Sequence, residues 1–303
     1  MSGQTILPEQ ERAWRSTRPK QPSAPRRAFR RWLGTRQIVL GGSVILPLVL
    51  IAIFAPLLAP YAPDQIGVAR RLSVPGPGHW LGTDEFGRDI LSRIIFGTRL
   101  TLYVGVVAVG IGLACGISIG AIAAYAGRRV SGLAMRAIDL LYTFPDVVIA
   151  LSLVAFLGPS LSNAMVAVGI SVIPYYARVT YAVVLVERQK TYVEAAQGLG
   201  ASHARVIVRH LLPNVVPPMI VVASLGFSTA VLSAAALSFL GLGAQPPAAE
   251  WGLMLATGRN YIQRAPWVVI APGMAIFIAV MAFNILGDGI RDVLDPRQRE
   301  SLF

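Results

Sequence analysis

Six apolar runs, roughly 38–58, 100–124, 138–158, 163–183, 215–243 and 267–287, alternate with shorter polar segments along the chain. Each is close to or above the roughly 20 residues that a helix needs to cross a hydrocarbon core of about 30 Å. Backbone polar groups in lipid must be satisfied internally, so runs of this length predict helices rather than loops or open strands. The expected architecture is all-α and integral to the membrane, with six transmembrane helices. The second run adds a packing signal. Ala108, Gly112, Gly116, Gly120 and Ala124 are spaced four apart and share one helix face. Lipid tails give helices no hydrophobic reason to associate, so this small-residue stripe predicts a close helix–helix approach.

The polar segments set the orientation. Residues 1–37 form a basic, Pro-containing tail, expected to be largely disordered and cytoplasmic. The tail is too long for the n-region of a signal peptide, so the 38–58 run is expected to stay as an uncleaved first span. With the N-terminus inside, the inner segments (tail, 125–137, 184–214 and 288–303) carry 19 Lys and Arg, and the outer segments (59–99, 159–162 and 244–266) carry 7. That bias predicts a multi-pass protein with N-in, C-in topology. It also accounts for the net charge of +12 without nucleic acid. The chain then divides into the tail, the 38–58 helix, an extracytoplasmic segment 59–99, a five-helix core over 100–298 and a tail over 299–303. A composition 54% hydrophobic and 14% charged fits this class, and a single cysteine, Cys115, allows no intrachain disulfide.

Candidate chemistry is sparse. The third run contains Asp139 and Pro145-Asp146. A carboxylate deep in a span costs about 2.5–3.5 kcal/mol on insertion scales, so it usually faces protein or water. Asp139 lies near the inner interface, solvated or paired with Arg136; Asp146 lies about two turns deeper, with Pro145 opening the helix locally. Asp146, Tyr175, Tyr176 and Asn284 are therefore the candidate pathway-lining residues. Gly116-Ile117-Ser118-Ile119-Gly120 matches the G-x-S-x-G of hydrolases, but the histidines His79, His203 and His210 all lie outside the spans. No G-x-x-x-x-G-K-[ST] occurs; the two lysines, Lys20 and Lys190, do not follow glycine. A ladder of intramembrane carboxylates or histidines, as in proton-coupled carriers, is also missing. The chain is thus expected to be a pore-forming subunit driven by another protein, with no catalytic residue, cofactor or metal of its own; an ion-coupled secondary carrier is the alternative from another class.

The most informative polar stretch is 187–213, ERQKTYVEAAQGLGASHARVIVRHLLP. Two helical pieces meet at Gly198 and Gly200, Ser202 is placed to cap the second, and Pro213 is expected to stop it. Arg205 and Arg209 share one face, while Ile207 with Leu211 and Val208 with Leu212 form an apolar side. The spacing of Glu194-Ala195-Ala196, Gly200 and Leu212-Pro213 resembles the EAA loop of ABC importer permeases; His210 stands where the general pattern has Ile. Three further stretches resemble the peptide/nickel class of these permeases. They are Leu81-Gly82-Thr83-Asp84 with Gly87-Arg88-Asp89, LSFLGLGAQPP with Glu250-Trp251-Gly252, and Phe283-Asn284 through Leu294-Asp295-Pro296.

The resemblance implies a type I importer permease fold and a C-type subunit for dipeptides or oligopeptides. It implies a homologous B-type permease, two ATPase subunits holding ATP and Mg, and an extracytoplasmic substrate-binding protein. Glutathione or nickel import by the same family is the near alternative. Under this reading Glu194, Ala195, Ala196, Gly200, Arg205, Arg209, Leu212 and Pro213 form the ATPase-coupling loop. Asp84, Arg88, Asp89, Gln245, Glu250 and Trp251 are candidate contacts to the binding protein.

Overall fold

The computed structural model describes residues 35–294. The basic tail up to residue 34, and Asp295-Pro296 with the 299–303 tail, lie outside the described residues. Among the described residues five helical spans are long and apolar enough to cross a membrane, or six if a bent helix pair counts as one span. α1 (Arg36–Leu58) packs along the last helix and leaves Leu46, Ile53 and Leu57 on its exposed side. A polar outer segment follows, and Asp89 ends it by capping α2 (Ile90–Tyr125). The Asp89 carboxylate accepts the Ser92 N–H at 2.8 Å and the Ser92 hydroxyl at 2.7 Å. The expected interfacial helix at Ile90 and the second span are one 36-residue rod, about 54 Å at 1.5 Å per residue. It therefore passes through the bilayer and rises into the outer layer.

The third run departs from a single straight span. α3 (Arg128–Tyr142) and α4 (Asp146–Leu157) meet at 87°. Pro145 has no N–H and disfavours a helical Phe144, so the helix breaks at residues 143–145 instead of opening locally. Asp146 consequently sits in the first turn of α4, not two turns along a continuous helix. Asp139 pairs with Arg178 at 3.4 Å, in place of the expected Arg136.

α5 (Leu161–Ser171) and α6 (Ile173–Glu187) run on from each other at Val172 and together form the fourth span. α7 (Thr191–Gly198) and α8 (His203–Val206) make the 187–213 loop. The expected stop at Pro213 does not occur. A π-helical turn, Ile207–Leu211, joins α8 to α9 (Leu212–Phe239), so helix runs from His203 to Phe239. Within it the Leu212 N–H bonds the Ile207 carbonyl five residues back. The wider turn gives room for the ring of Pro213. α10 (Trp251–Gly258) lies in the outer layer, and α11 (Trp267–Leu294) is the last span.

The small-residue stripe does what its spacing predicts. α2 makes its most extensive contact with α6, and Gly112, Gly116 and Gly120 are the points of approach. A Cβ on Gly112 would lie 2.7 Å from Val172 Cγ2, and one on Gly116 would collide with Tyr176. Around this contact lie an apolar cluster with Ala108, Val154, Val168 and Phe227, and a second nearer the loop with Val184, Val193, Val206 and Leu211.

Gly116→Leu is expected to force α2 and α6 apart. Overpacking typically costs about 1–3 kcal/mol, so the melting temperature and yield of folded protein in detergent should both fall. Gly110→Ala, on the same helix with nothing within 4 Å of the added carbon, should change little. A Gly116→Leu protein melting at the wild-type temperature would contradict the packing assigned here.

Candidate functional site

The 187–213 loop is a two-sided element. Val193, Val206 and Leu211 are buried beneath it, where they pack with Ala121, Ala124 and Val184 of α2 and α6. Glu194, Ala195, Gln197, Arg205, Arg209 and Pro213 are exposed above, and Ala196 and Leu212 are half-buried. The turn between the two helices presents Leu199, which is 90% exposed. Gly200 follows with φ +80°, a left-handed conformation that glycine adopts without steric cost. The Ser202 hydroxyl accepts the Arg205 N–H at 3.4 Å and starts α8. The apolar side differs from the simple helical reading. The π turn shifts the register, so Val206 and Leu211, five apart, point inward, while Val208 is 65% exposed.

Several side chains that the motif does not mark fasten this loop. Arg188 donates to the Ala124 carbonyl at 2.6 Å, and Gln197 donates to the Tyr125 hydroxyl, both at the end of α2. The Tyr125 and His203 rings meet edge to face with centroids 5.2 Å apart. Tyr192 donates to Glu187 at 2.7 Å, Lys190 pairs with Glu187 at 2.6 Å, and Asn214 donates to the His210 carbonyl at 2.7 Å and to the Tyr192 hydroxyl at 3.1 Å. These bonds tie the loop to the ends of α2, α6 and α9.

Asp146, Tyr175 and Tyr176 come together around a half-open cavity of about 560 Å³. The α3–α4 break, the α5–α6 junction and Leu225, Gly226 and Thr229 of α9 surround it. Asn284, on α11, is not part of its lining.

The outer layer is tied by buried charge. Asp84 accepts the Phe86 and Arg88 N–H groups, each at 2.9 Å, and pairs with the Arg88 guanidinium at 2.6 Å. Asp89 adds His79 Nδ1 at 3.0 Å to its capping bonds. Glu250 caps α10 by accepting the Gly252 and Leu253 N–H groups at 2.9 and 2.8 Å. Trp251 is fully buried and donates to the Ile94 carbonyl at 3.1 Å. Arg93, which no motif marked, donates to the Pro63 carbonyl at 2.7 Å and the Ala248 carbonyl at 3.0 Å, clamping the two outer loops. Asp84, Arg88, Asp89, Glu250 and Trp251 are therefore buried and bonded to partners inside this chain. Of the six expected surface contacts, Gln245 alone is exposed. The outer surface is carried instead by residues such as Trp80, 75% exposed, and Phe86.

Sequence comparison identifies this architecture. Residues 116–300 match the family described as binding-protein-dependent transport system inner membrane component. The chain belongs to that family. Residues 23–75 of the permease also match the N-terminal TM domain of oligopeptide transport permease C. The dipeptide transport system permease protein DppC of Alkalihalophilus pseudofirmus is 45% identical over 274 residues, 90% of each chain. The probable D,D-dipeptide transport system permease protein DdpC of Escherichia coli is 44% identical over 264 residues, 87% of this chain and 89% of its own. The glutathione transport system permease protein GsiD of Pectobacterium atrosepticum is 42% identical over 282 residues, 92% of this chain and 94% of its own. Among solved structures, the inward-facing MetNI methionine ABC transporter superposes with a TM-score of 0.56 at 19% identity, covering 68% of this chain and 98% of that one. This likeness concerns the fold. The permease is an inner-membrane component with the fold of type I importer permeases.

Burial holds the Glu250 carboxyl above the ordinary carboxylate range, against the opposing hydrogen bonds from Gly252, Leu253 and Ser238. The folded state therefore favours the protonated form. Its contribution to stability is complete below the ordinary carboxylate pKa and is lost as pH rises through the raised value. Melting curves between about pH 4 and 8 should show that loss in the wild type and a flatter profile in Glu250→Gln. Identical profiles would place the titration elsewhere.

Proposed function

We propose that this permease is the C-type translocation subunit of an ATP-driven importer of dipeptides or oligopeptides. The observation that carries the reading is the 187–213 loop, exposed on one side, bonded to three span ends on the other and tipped by Leu199. Such an element receives motion from a cytoplasmic protein and passes it to the membrane. The receiver would be one of two ATPase subunits, which hold ATP and Mg and supply the free energy of the cycle. A homologous B-type permease would complete the pathway, and a substrate-binding protein would deliver peptide to the outer layer. Its contact surface would be the exposed rim around Gln245, Trp80 and Phe86, with the Arg93 clamp keeping both outer loops in one rigid body.

The mechanism for this chain is rigid-body transmission. Glu194 lies in the first turn of α7, where its charge suits the helix dipole. Ala195 and Ala196 keep the exposed profile narrow, and Gly200 sets the turn that aims Leu199 outward. Arg205 and Arg209 offer positive charge to the docking partner. Pro213 lies in the first turn of α9, directly after the π turn. The peptide assignment is supported by relatives named for dipeptides at 44–45% identity over most of the chain. The relative named for glutathione, itself a small peptide, supports glutathione as the second reading.

Co-expression with the neighbouring genes, extraction in mild detergent and mass measurement should give one copy of this chain with a second permease and two ATPases. Leu199→Asp, at the tip, should cut ATPase recovery about tenfold or more, the loss typical of a central apolar anchor. Gly200→Leu pays a left-handed backbone penalty of about 1–2 kcal/mol. It should insert normally yet lose most ATP-driven uptake in proteoliposomes, with Gly200→Asn milder. Normal uptake by Gly200→Leu, or an active species without ATPase driven by an ion gradient, would sink the coupling role.

A further inference from the structure

The cavity beside Asp146 has one-sided chemistry. Irregular backbone at membrane depth persists only where protein buries it or where it lines a water-filled space. The break at residues 143–145 lies on that cavity. Among the described residues lining it, Asp146 is the one acidic side chain, and no Lys, Arg or His is present. The Asp146 carboxylate accepts the N–H of its neighbour Val147 at 2.9 Å, a bond that uses a fraction of its acceptor capacity. α3 ends at the same place, so the negative end of its dipole lies against the cavity. The positive end of α4 is already answered by Asp146 itself. Pro145 and Pro174 supply no N–H donors, and Ser171 spends its hydroxyl proton on the Val168 carbonyl at 2.9 Å. Arg178, one turn beyond Tyr175, is not part of the lining; it pairs with Asp139 and lies over the ring of the lining residue Tyr142, 5.5 Å from its centroid.

The lining thus carries one negative charge and no positive one, and the hydroxyls of Tyr142, Tyr175, Tyr176 and Thr229 can donate or accept. Tyr175 and Tyr176 add aromatic surface, their ring centroids 5.6 Å apart. A volume of about 560 Å³ falls within the range of small-molecule sites. The complementary ligand is a compact cation with several N–H donors and an organic body. A primary ammonium meets that description, and aromatic faces attract cations as well.

We propose that the cavity is a transit site for the terminal ammonium of a peptide, with Asp146 as its counter-ion and Tyr175 and Tyr176 flanking the adjoining residue. The inference rests on the peptide-import reading and adds the group by which this chain itself recognises cargo. It differs from a purely structural role for Asp146, in which the carboxylate only stabilises the start of α4.

The test uses the whole importer in nanodiscs without its binding protein. Equilibrium binding is measured for radiolabelled alanyl-phenylalanine and for its N-acetylated form. The free-amine peptide should bind about tenfold more tightly, the factor expected for one charge-assisted hydrogen bond. Asp146→Asn should erase that preference, and Asp146→Glu should restore most of it. A helix-start role alone would leave the ratio unchanged. If Asp146→Asn does not assemble, Tyr175→Leu should weaken free-amine binding about five-fold through loss of its aromatic face and leave the acetylated peptide less affected. Equal binding of the two peptides to the wild type, or no binding of either, overturns the proposal. Uptake of alanyl-phenylalanine in the presence of the binding protein is measured in parallel. Uptake without cavity preference removes this site and leaves the import reading intact; no uptake of any peptide removes the import reading itself.

Discussion

Everything in this permease hangs on how closely α2 and α6 approach. In water two helices are driven together by apolar surface; in lipid that drive vanishes, and what remains is dispersion at short range. Gly112, Gly116 and Gly120 remove the side chains that would hold the rods apart, and the Tyr176 ring, Ala177 and Thr180 fill the space. Because α2 is 36 residues long, this one seam connects levels that would otherwise be independent. Its outer end carries the Asp89 cap and Arg93. Its middle supports the cluster around Ala108. Its inner end gives Ala124 and Tyr125 to the loop.

The membrane also decides where irregularity is allowed. Three interruptions fall among the spans: the sharp α3–α4 break, the α5–α6 junction at Val172 and the π turn before α9. The break and the α5–α6 junction both line the cavity beside Asp146. The π turn joins the exposed loop to the fifth span without a flexible link. Helix is continuous from His203 to Phe239, so no coil separates the second half of the loop from the span.

Much of the architecture was legible before any coordinates. Run length against bilayer thickness placed the spans, the four-residue spacing of Gly and Ala placed the α2 seam, and the Glu194 to Pro213 spacing placed the loop. These signals are local or periodic, so a linear reading captures them. What escaped was non-local or depended on a small balance. Gln197 meets Tyr125 across 72 positions and Arg93 meets Ala248 across 155, distances at which no spacing rule operates. Pro145 and Pro213 look alike in sequence, yet one breaks its helix and the other is absorbed, because a π turn precedes the second. Asp84, Arg88, Asp89 and Glu250 looked like surface chemistry because charged residues usually are. Their burial became apparent only with their partners in place.

The π turn has a consequence in angular terms. Each residue of an α-helix turns the chain by about 100° and advances it about 1.5 Å. Ile207–Leu211 adds one residue without adding a full step of rise, so it fixes a phase between the loop and the fifth span. Val206 and Leu211 face inward at that phase; slipping it by one residue would carry Val206 outward and roll Arg205 around the axis. The direction in which the exposed side of the loop points is therefore set by a residue count within a single turn, and a one-residue deletion there would turn that side while leaving its composition almost untouched.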